Sequence, residues 1–130
     1  TRTLQPGDCY IALRGERFDG HAYLRDAAKR GASLLVVESD TTLLNSGPAV
    51  VRVDDTLKAL GAAARAWRRK VAARSGLKVC AIVGSSGKTT TKEMAAELVA
   101  GSLSTVATQG NLNNLVGLPQ TLFRLTEEHK

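Results

Sequence analysis

Histidine, cysteine and aromatic side chains are scarce in this 130-residue chain, which holds two His, two Cys, two Tyr, two Phe and one Trp. Neither Cys9 nor Cys80 lies in a C-x-x-C or Cys/His spacing, so no metal or disulfide framework is indicated. Both sit in apolar runs and are expected as buried, reduced thiols. His21 reads as a helix-start residue and His129 lies close to the C-terminal end, and neither has a catalytic partner at a recognisable spacing. No apolar stretch approaches the roughly 20 residues that cross a bilayer, and Thr1 to Tyr10 lacks a signal-peptide pattern. A cytoplasmic location without a membrane span is the expectation.

The formal net charge is +6, yet the charge is scattered. Its densest cluster, Arg65, Arg68, Arg69, Lys70 and Arg74, falls on one amphipathic segment with only Trp67 for aromatic company. A solvated helix face explains it better than a nucleic-acid surface, so no nucleic-acid partner is expected. The basic balance also suits a site for polyanionic small molecules.

The periodicity alternates between strand and helix. Cys9 to Leu13 reads as a strand after the turn Pro6-Gly7-Asp8, and His21 to Arg30 as a helix opened by Asp19-Gly20 and capped by Gly31. In that helix Ala22, Tyr23, Ala27 and Ala28 keep helical spacing. Leu34 to Val37 and Ala49 to Val53 read as buried strands separated by the loop Asn45-Ser46-Gly47-Pro48. Asp54 or Asp55 can cap a long helix from Thr56 to Ala73, with Leu57, Leu60, Ala64, Trp67 and Val71 on one stripe. Arg74-Ser75-Gly76 breaks that pattern and is the expected domain boundary. Beyond it, Leu77 to Val83 reads as a parallel-type strand, Lys88 to Ala100 as a helix burying Met94, Ala95, Leu98 and Val99, and Ser104 to Ala107 as a second strand.

The sharpest signal stands where the strand Leu77 to Val83 meets that helix, in the loop Gly84-Ser85-Ser86-Gly87-Lys88-Thr89-Thr90. Closely spaced glycines let successive backbone N–H groups turn toward one anion, and the helix that follows adds the positive end of its dipole. Lys88 is expected at the terminal phosphates, and Thr89 to offer its hydroxyl to Mg2+. A Lys in a first helical turn opposes the dipole, so a bound anion explains it better than helix stability does. The spacing is not that of the usual phosphate loop with four residues between its glycines, since only Ser85 and Ser86 lie between Gly84 and Gly87.

A second candidate, Gly110-Asn111-Leu112-Asn113-Asn114, lies past the second expected strand, at the strand end where open α/β sheets hold ligands. Its asparagines fit a polar ligand contact and fit equally a loop in which Asn bonds its own backbone. A nucleotide-binding domain carries its Gly-rich loop after the first strand. The roughly 75 residues upstream therefore suggest a separate module, and the roughly 40 downstream are too few to complete an open sheet. With Thr1 first and Met94 as the only Met, a piece of a longer chain is expected.

The loop Gly84 to Thr90 resembles the shortened phosphate loop of the Mur ligases and folylpolyglutamate synthetases, and Thr91-Lys92-Glu93 continues it as in the MurF-type branch. Gly110-Asn111-Leu112-Asn113-Asn114 with Gly117, Pro119, Thr121 and Leu122 is similar to that branch's own loop. Thr1-Arg2, Pro6-Gly7-Asp8, Ala12-Leu13, Gly15 and Asp19-Gly20-His21 are similar to its UDP-binding module. The resemblance implies an α/β chain with a small UDP-substrate module over 1–75 and the first βαβ part of a P-loop ATPase-like central domain over 76–130, a third domain lying outside it. It implies ATP and Mg2+ as cofactors, and UDP-N-acetylmuramoyl-tripeptide and D-alanyl-D-alanine as substrates joined through an acyl phosphate. Site residues implied are Gly84, Ser85, Ser86, Gly87, Lys88, Thr89 and Thr90 for the nucleotide, with Lys88 and Thr89 carrying the chemistry and Thr89 the metal. Thr1, Arg2, Gly15, Glu16, Arg17, Phe18, Asn111, Asn113 and Asn114 are implied for the UDP-sugar-peptide. The intact protein is expected to be a monomer, and these 130 residues alone are not expected to ligate. Alternatives are another Mur-type ligase taking a single amino acid, a nucleotide-binding regulatory module, or a nucleic-acid-binding NTPase.

Overall fold

The computed structural model describes residues 3–16, 18–41, 47–110 and 112–130. Thr1, Arg2, Arg17 and Asn111, and Asn45-Ser46 of the loop between two strands, lie outside them. The chain divides into two units, Thr1–Leu60 and Gly61–Lys130.

In the first unit, β1 (Cys9–Ile11), β4 (Leu34–Glu38) and β5 (Ala49–Val53) form a parallel sheet in the order β1-β4-β5. Cys9 stands opposite Leu34, and Leu34 opposite Ala49. β4 is central, which is why its unbroken Leu-Leu-Val-Val run suits it: a parallel strand is covered on both faces, and Leu35, Val36 and Val37 are all buried. Between β1 and β4 come the two-residue strands β2 (Arg14–Gly15) and β3 (Phe18–Asp19), a 3-10 turn (Gly20–Tyr23) and α1 (Leu24–Lys29). Ala12, Leu24, Ala27, Ala32, Leu35 and Val37 make the core, with Leu4, Tyr10 and Val50 packed on it.

The expected helix from His21 is thus 3-10 in its first turn. Asp19 caps that turn, its Oδ1 accepting from His21 N at 2.9 Å. That backbone hydrogen bond is the main cause holding the Asp19 carboxyl below its ordinary pKa. The helix stops as its sequence foretells. Gly31 has φ +86°, its N–H reaches Ala28 O, and Ala32 N–H reaches Ala27 O, the paired bonds of a glycine C-cap.

α2 (Thr56–Ser75) is opened by Asp55, whose Oδ1 accepts from Lys58 N at 2.9 Å; the same bond lowers the Asp55 pKa. Both carboxylates contribute stability above the ordinary carboxylate range that is lost as pH falls through their lowered values. The buried residues of α2 are Thr56, Leu60, Ala64, Val71 and Ser75. Thr56 turns its hydroxyl onto Ala12 O at 2.9 Å. Within the second unit, Trp67 Nε1 donates to Leu125 O at 3.0 Å, Arg74 pairs with Glu127, and Lys130 Nζ reaches Ser75 O at 2.9 Å. α2 ends at Ser75 and Gly76 turns left-handed with φ +71°.

α3 (Lys88–Ala100) and α4 (Gly117–Phe123) complete the second unit. The stretches Leu77 to Val83 and Ser104 to Ala107, expected as strands, carry no ladder among the described residues. A strand exists only through its neighbours' hydrogen bonds, and Val79 and Val83 are exposed here. The expectation that α3 buries Met94, Leu98 and Val99 is likewise corrected, since all three are exposed and Ala95 is only half-buried. An amphipathic stripe is covered only where a second layer lies on it. Cys9 and Cys80 are exposed rather than buried, Cys9 at the start of an edge strand and Cys80 on an unpaired stretch.

Two glycines test the packing in opposite directions. A Cβ on Gly20 would stand 2.8 Å from Leu13 O and 2.9 Å from Leu13 N, whereas one on Gly61, inside α2, would meet nothing within 4 Å. Gly20→Ala is expected to destabilise by about 1–3 kcal/mol. Gly61→Ala is expected to stabilise by roughly 0.5–1 kcal/mol through helix propensity. Urea denaturation followed by circular dichroism checks both.

Candidate functional site

Two clusters of polar groups stand at the ends of these elements. In the first unit the tight hairpin β2–β3 leaves the carboxyl end of β1, where open α/β sheets hold ligands. It presents Gly15, Glu16 and Phe18, all exposed. Gly15 pairs with Phe18 across the hairpin, and a Cβ on Gly15 would stand 2.9 Å from the Phe18 ring, so glycine makes room for that ring.

The hairpin is tied to the end of β4 through Glu38. Arg14 Nη1 meets Glu38 Oε2 at 2.7 Å, and the same guanidinium reaches Asp19 at 3.2 Å and Asp40 at 3.3 Å. The buried His21 ring accepts from Glu38 N at Nε2 (3.1 Å) and meets Asp19 Oδ1 at Nδ1 (2.6 Å). An Nε2 that accepts leaves the proton on Nδ1, facing the carboxylate. Tyr10 Oη donates to Gly20 O at 2.9 Å and Gly20 N to Leu13 O at 2.8 Å. His21 is therefore more than a helix-start residue: it is one of the pins of the hairpin. A histidine two residues after a capping Asp was the available signal.

In the second unit the Gly-rich loop lies open, with Gly84, Ser85, Ser86, Gly87, Thr89 and Thr90 exposed and Lys88 half-buried. Gly87 is left-handed at φ +73° and forms the N-cap of α3. Its carbonyl accepts the first helical bond, from Thr91 N at 2.9 Å. Among the described residues no hydrogen bond takes up the N–H groups of Ser85, Ser86, Gly87, Lys88, Thr89 or Thr90. Such a row of free donors at a helix start is the physical basis of anion binding. Lys88 curls back over the loop, its Nζ donating to Gly84 O and, at 3.4 Å, to Ser85 O. The ammonium thus lies in the loop rather than out in solvent. The Thr89 hydroxyl is exposed at the second helical position, a hard oxygen of the kind Mg2+ takes. No group of three metal-ligating side chains gathers among the described residues.

The asparagine loop divides by role. Asn114 Oδ1 accepts from Val116 N at 3.1 Å and Gly117 N at 2.7 Å, and its carbonyl from Leu118 N, so Asn114 opens α4. A Cβ on Gly117 would lie 2.8 Å from Leu112 Cα, which makes this turn possible only with glycine. Asn113 is exposed, and its side chain has no hydrogen bond among the described residues. One residue had drawn no role from its sequence position. Lys92, one turn after Lys88 on α3, sends its Nζ to Thr108 O at 2.6 Å and Gly110 O at 3.4 Å.

Residues 1–102 match the Mur ligase family, catalytic domain, and residues 82–130 the Mur ligase middle domain. The UDP-N-acetylmuramoyl-tripeptide--D-alanyl-D-alanine ligase of Haemophilus influenzae is 42% identical over 134 residues, covering 100% of this chain and 28% of that protein. The ligase of the same name from Escherichia coli is 43% identical over 129 residues, covering 99% of this chain and 27% of that one. Among solved structures, MurF from Acinetobacter baumannii superposes with a TM-score of 0.87 at 38% identity, over 98% of this chain and 27% of its own length. The Thermotoga maritima MurF ligase in complex with ADP gives 0.82 at 33% identity, over 98% and 29%. The chain spans a little over a quarter of the relatives it matches. With a family match running from residue 1 to 102, the chain belongs to the Mur ligase family, and its similarity there runs to the MurF-type branch.

Proposed function

We propose that the full-length protein is an ATP- and Mg2+-dependent amide ligase of peptidoglycan-precursor synthesis, joining D-alanyl-D-alanine to UDP-N-acetylmuramoyl-tripeptide. The observation that carries this is the open row of N–H donors from Ser85 to Thr90, with the Lys88 ammonium lying within the same loop. Its support comes from the names of the relatives, which state both substrates, and from the ADP held by the Thermotoga maritima ligase.

The loop's N–H groups would hold the terminal phosphates of ATP, and Lys88 would leave Gly84 O for them, a neutral partner exchanged for a charged one. Mg2+, offered the Thr89 hydroxyl, would offset negative charge as the phosphoryl group passes to the tripeptide carboxylate. The acyl phosphate so formed is attacked by the dipeptide amine, and phosphate leaves with both electrons of the broken C–O bond. Residues 1–75 would form the UDP-substrate module and 76–130 the start of the ATP-binding domain, the left-handed Gly76 ending α2 at that point. For the UDP-sugar-peptide the module would present Gly15, Glu16 and Phe18, with Thr1, Arg2 and Arg17 nearby in sequence. Asn111 and Asn113 would face the sugar-peptide side, and Asn114 would shape that loop from within. We place the protein in the cytoplasm as a monomer. Among the described residues no helix is long and apolar enough to cross a membrane.

The test is ADP release by the full-length protein with ATP and Mg2+, the tripeptide substrate and D-alanyl-D-alanine being added separately and together. Release is expected only with both, and Lys88→Ala is expected to lower kcat by about 10²-fold or more. Turnover indifferent to the dipeptide would exclude this acceptor. Asn113→Ala is expected to raise KM for the UDP-sugar-peptide without moving the unfolding midpoint. Asn114→Ala, which removes a helix cap, is expected to cost about 1 kcal/mol of stability in thermal unfolding.

A further inference from the structure

Lys88 and Lys92 stand one turn apart on α3, so their side chains leave the same face of the helix. Each ends on main-chain carbonyls, but of different loops. Lys88 turns back to Gly84 and Ser85, whereas Lys92 reaches across sixteen residues of sequence to Thr108 O, and on to Gly110 O. A surface lysine ordinarily keeps its ammonium in water. The Lys92 side chain is only 19% exposed, and the nearest carboxylate, Glu93, is 3.8 Å away. Two charge-assisted bonds to neutral carbonyls, one of them short, are a specific use of a half-buried cation.

The position of those carbonyls gives the contact its meaning. Thr108 and Gly110 are the residues from which the asparagine loop departs, and Gly110 is left-handed at φ +51°. At its far end the loop is fastened by the Asn114 cap and by the close approach of Leu112 to Gly117. Lys92 supplies the near-end fastening, leaving Asn113 between two anchored ends.

We infer that Lys92 is a positioning residue that locks the asparagine loop to the phosphate-loop helix, so that nucleotide and acyl substrate are held in register. This assignment rests on the ligase function proposed above. Losing the lock would leave the phosphate loop itself intact, because Lys88 and the Ser85 to Thr90 donors do not depend on Lys92. The loss should fall on the sugar-peptide side and on kcat, since misplacing a reactant by about 1 Å can cost up to about 10²-fold.

The experiment compares full-length wild type, Lys92→Met, which keeps the length and removes the charge, and Lys92→Arg, which keeps donors able to span two carbonyls. For Lys92→Met the expected result is a fall in kcat and a rise in KM for the UDP-sugar-peptide, each about tenfold, with KM for ATP within about twofold. Lys92→Arg should recover most of the loss. In parallel, amide hydrogen exchange should speed up at residues 108–114 in Lys92→Met while α2 is unchanged. Unaltered exchange at 108–114, or a rise in KM for ATP exceeding that for the UDP-sugar-peptide, would overturn the assignment. So would an unfolding midpoint lowered equally in Lys92→Met and Lys92→Arg with no split between the two KM values. If wild type shows no turnover dependent on both substrates, the ligase function fails and the exchange measurement still decides whether Lys92 holds the loop.

Discussion

The second unit depends on a conflict at Gly87. A helix must begin there, yet the N–H groups that precede it must stay unpaired if an anion is to use them. A side-chain cap such as Ser or Asp would satisfy the first turn and spend the donors. Gly87 starts the helix through backbone conformation alone, at φ +73° and with no side-chain cap bond. Helix α3 is thereby launched with its first turn open, and the two lysines of that turn and the next are placed by its geometry. The contrast with α2 and the 3-10 turn is instructive, since both of those starts are closed by aspartates.

In the first unit the equivalent constraint is Glu38, at the end of the central strand β4. Its N–H goes to His21, its carboxylate to Arg14, and its Oε1 approaches the Thr56 hydroxyl. A two-residue hairpin has too few ladder bonds to hold itself. It is held because three different elements converge on one residue of the central strand. The exposed ion pairs of Arg14 add little each, so the buried His21 bridge is the more rigid part of the link.

What the sequence disclosed follows from where each signal is local. β5, α3 and the Gly31 cap depend on residues within a few positions of one another, and they lie where periodicity and turn chemistry put them, although β5, expected as a buried strand, is an edge strand with no buried residue. The Gly-rich loop before α3 stood out for the same reason, as strand-like run, glycines, Lys and Thr adjoin. Leu77 to Val83 has the composition of a strand but no ladder, because pairing is a property of neighbours and not of a segment. Met94 and Leu98 mark an apolar stripe correctly, yet a stripe does not state what covers it. The Asn114 cap and the Lys92 bridge were hidden for opposite reasons. Asn114 suits both a loop ligand and a cap, and Lys92 finds its partners sixteen and eighteen residues away on carbonyls, which every residue possesses.

Trp67 is the one indole among these residues, and its position makes it an optical gauge. Its N–H is bound to Leu125 O while the Lys70 ammonium sits 5.7 Å from its ring centroid. Indole emission responds to both hydrogen bonding and a nearby positive charge, so the colour of this ring encodes whether the 125–130 segment is seated on α2. The second unit carries its own dye, outside the Gly-rich loop.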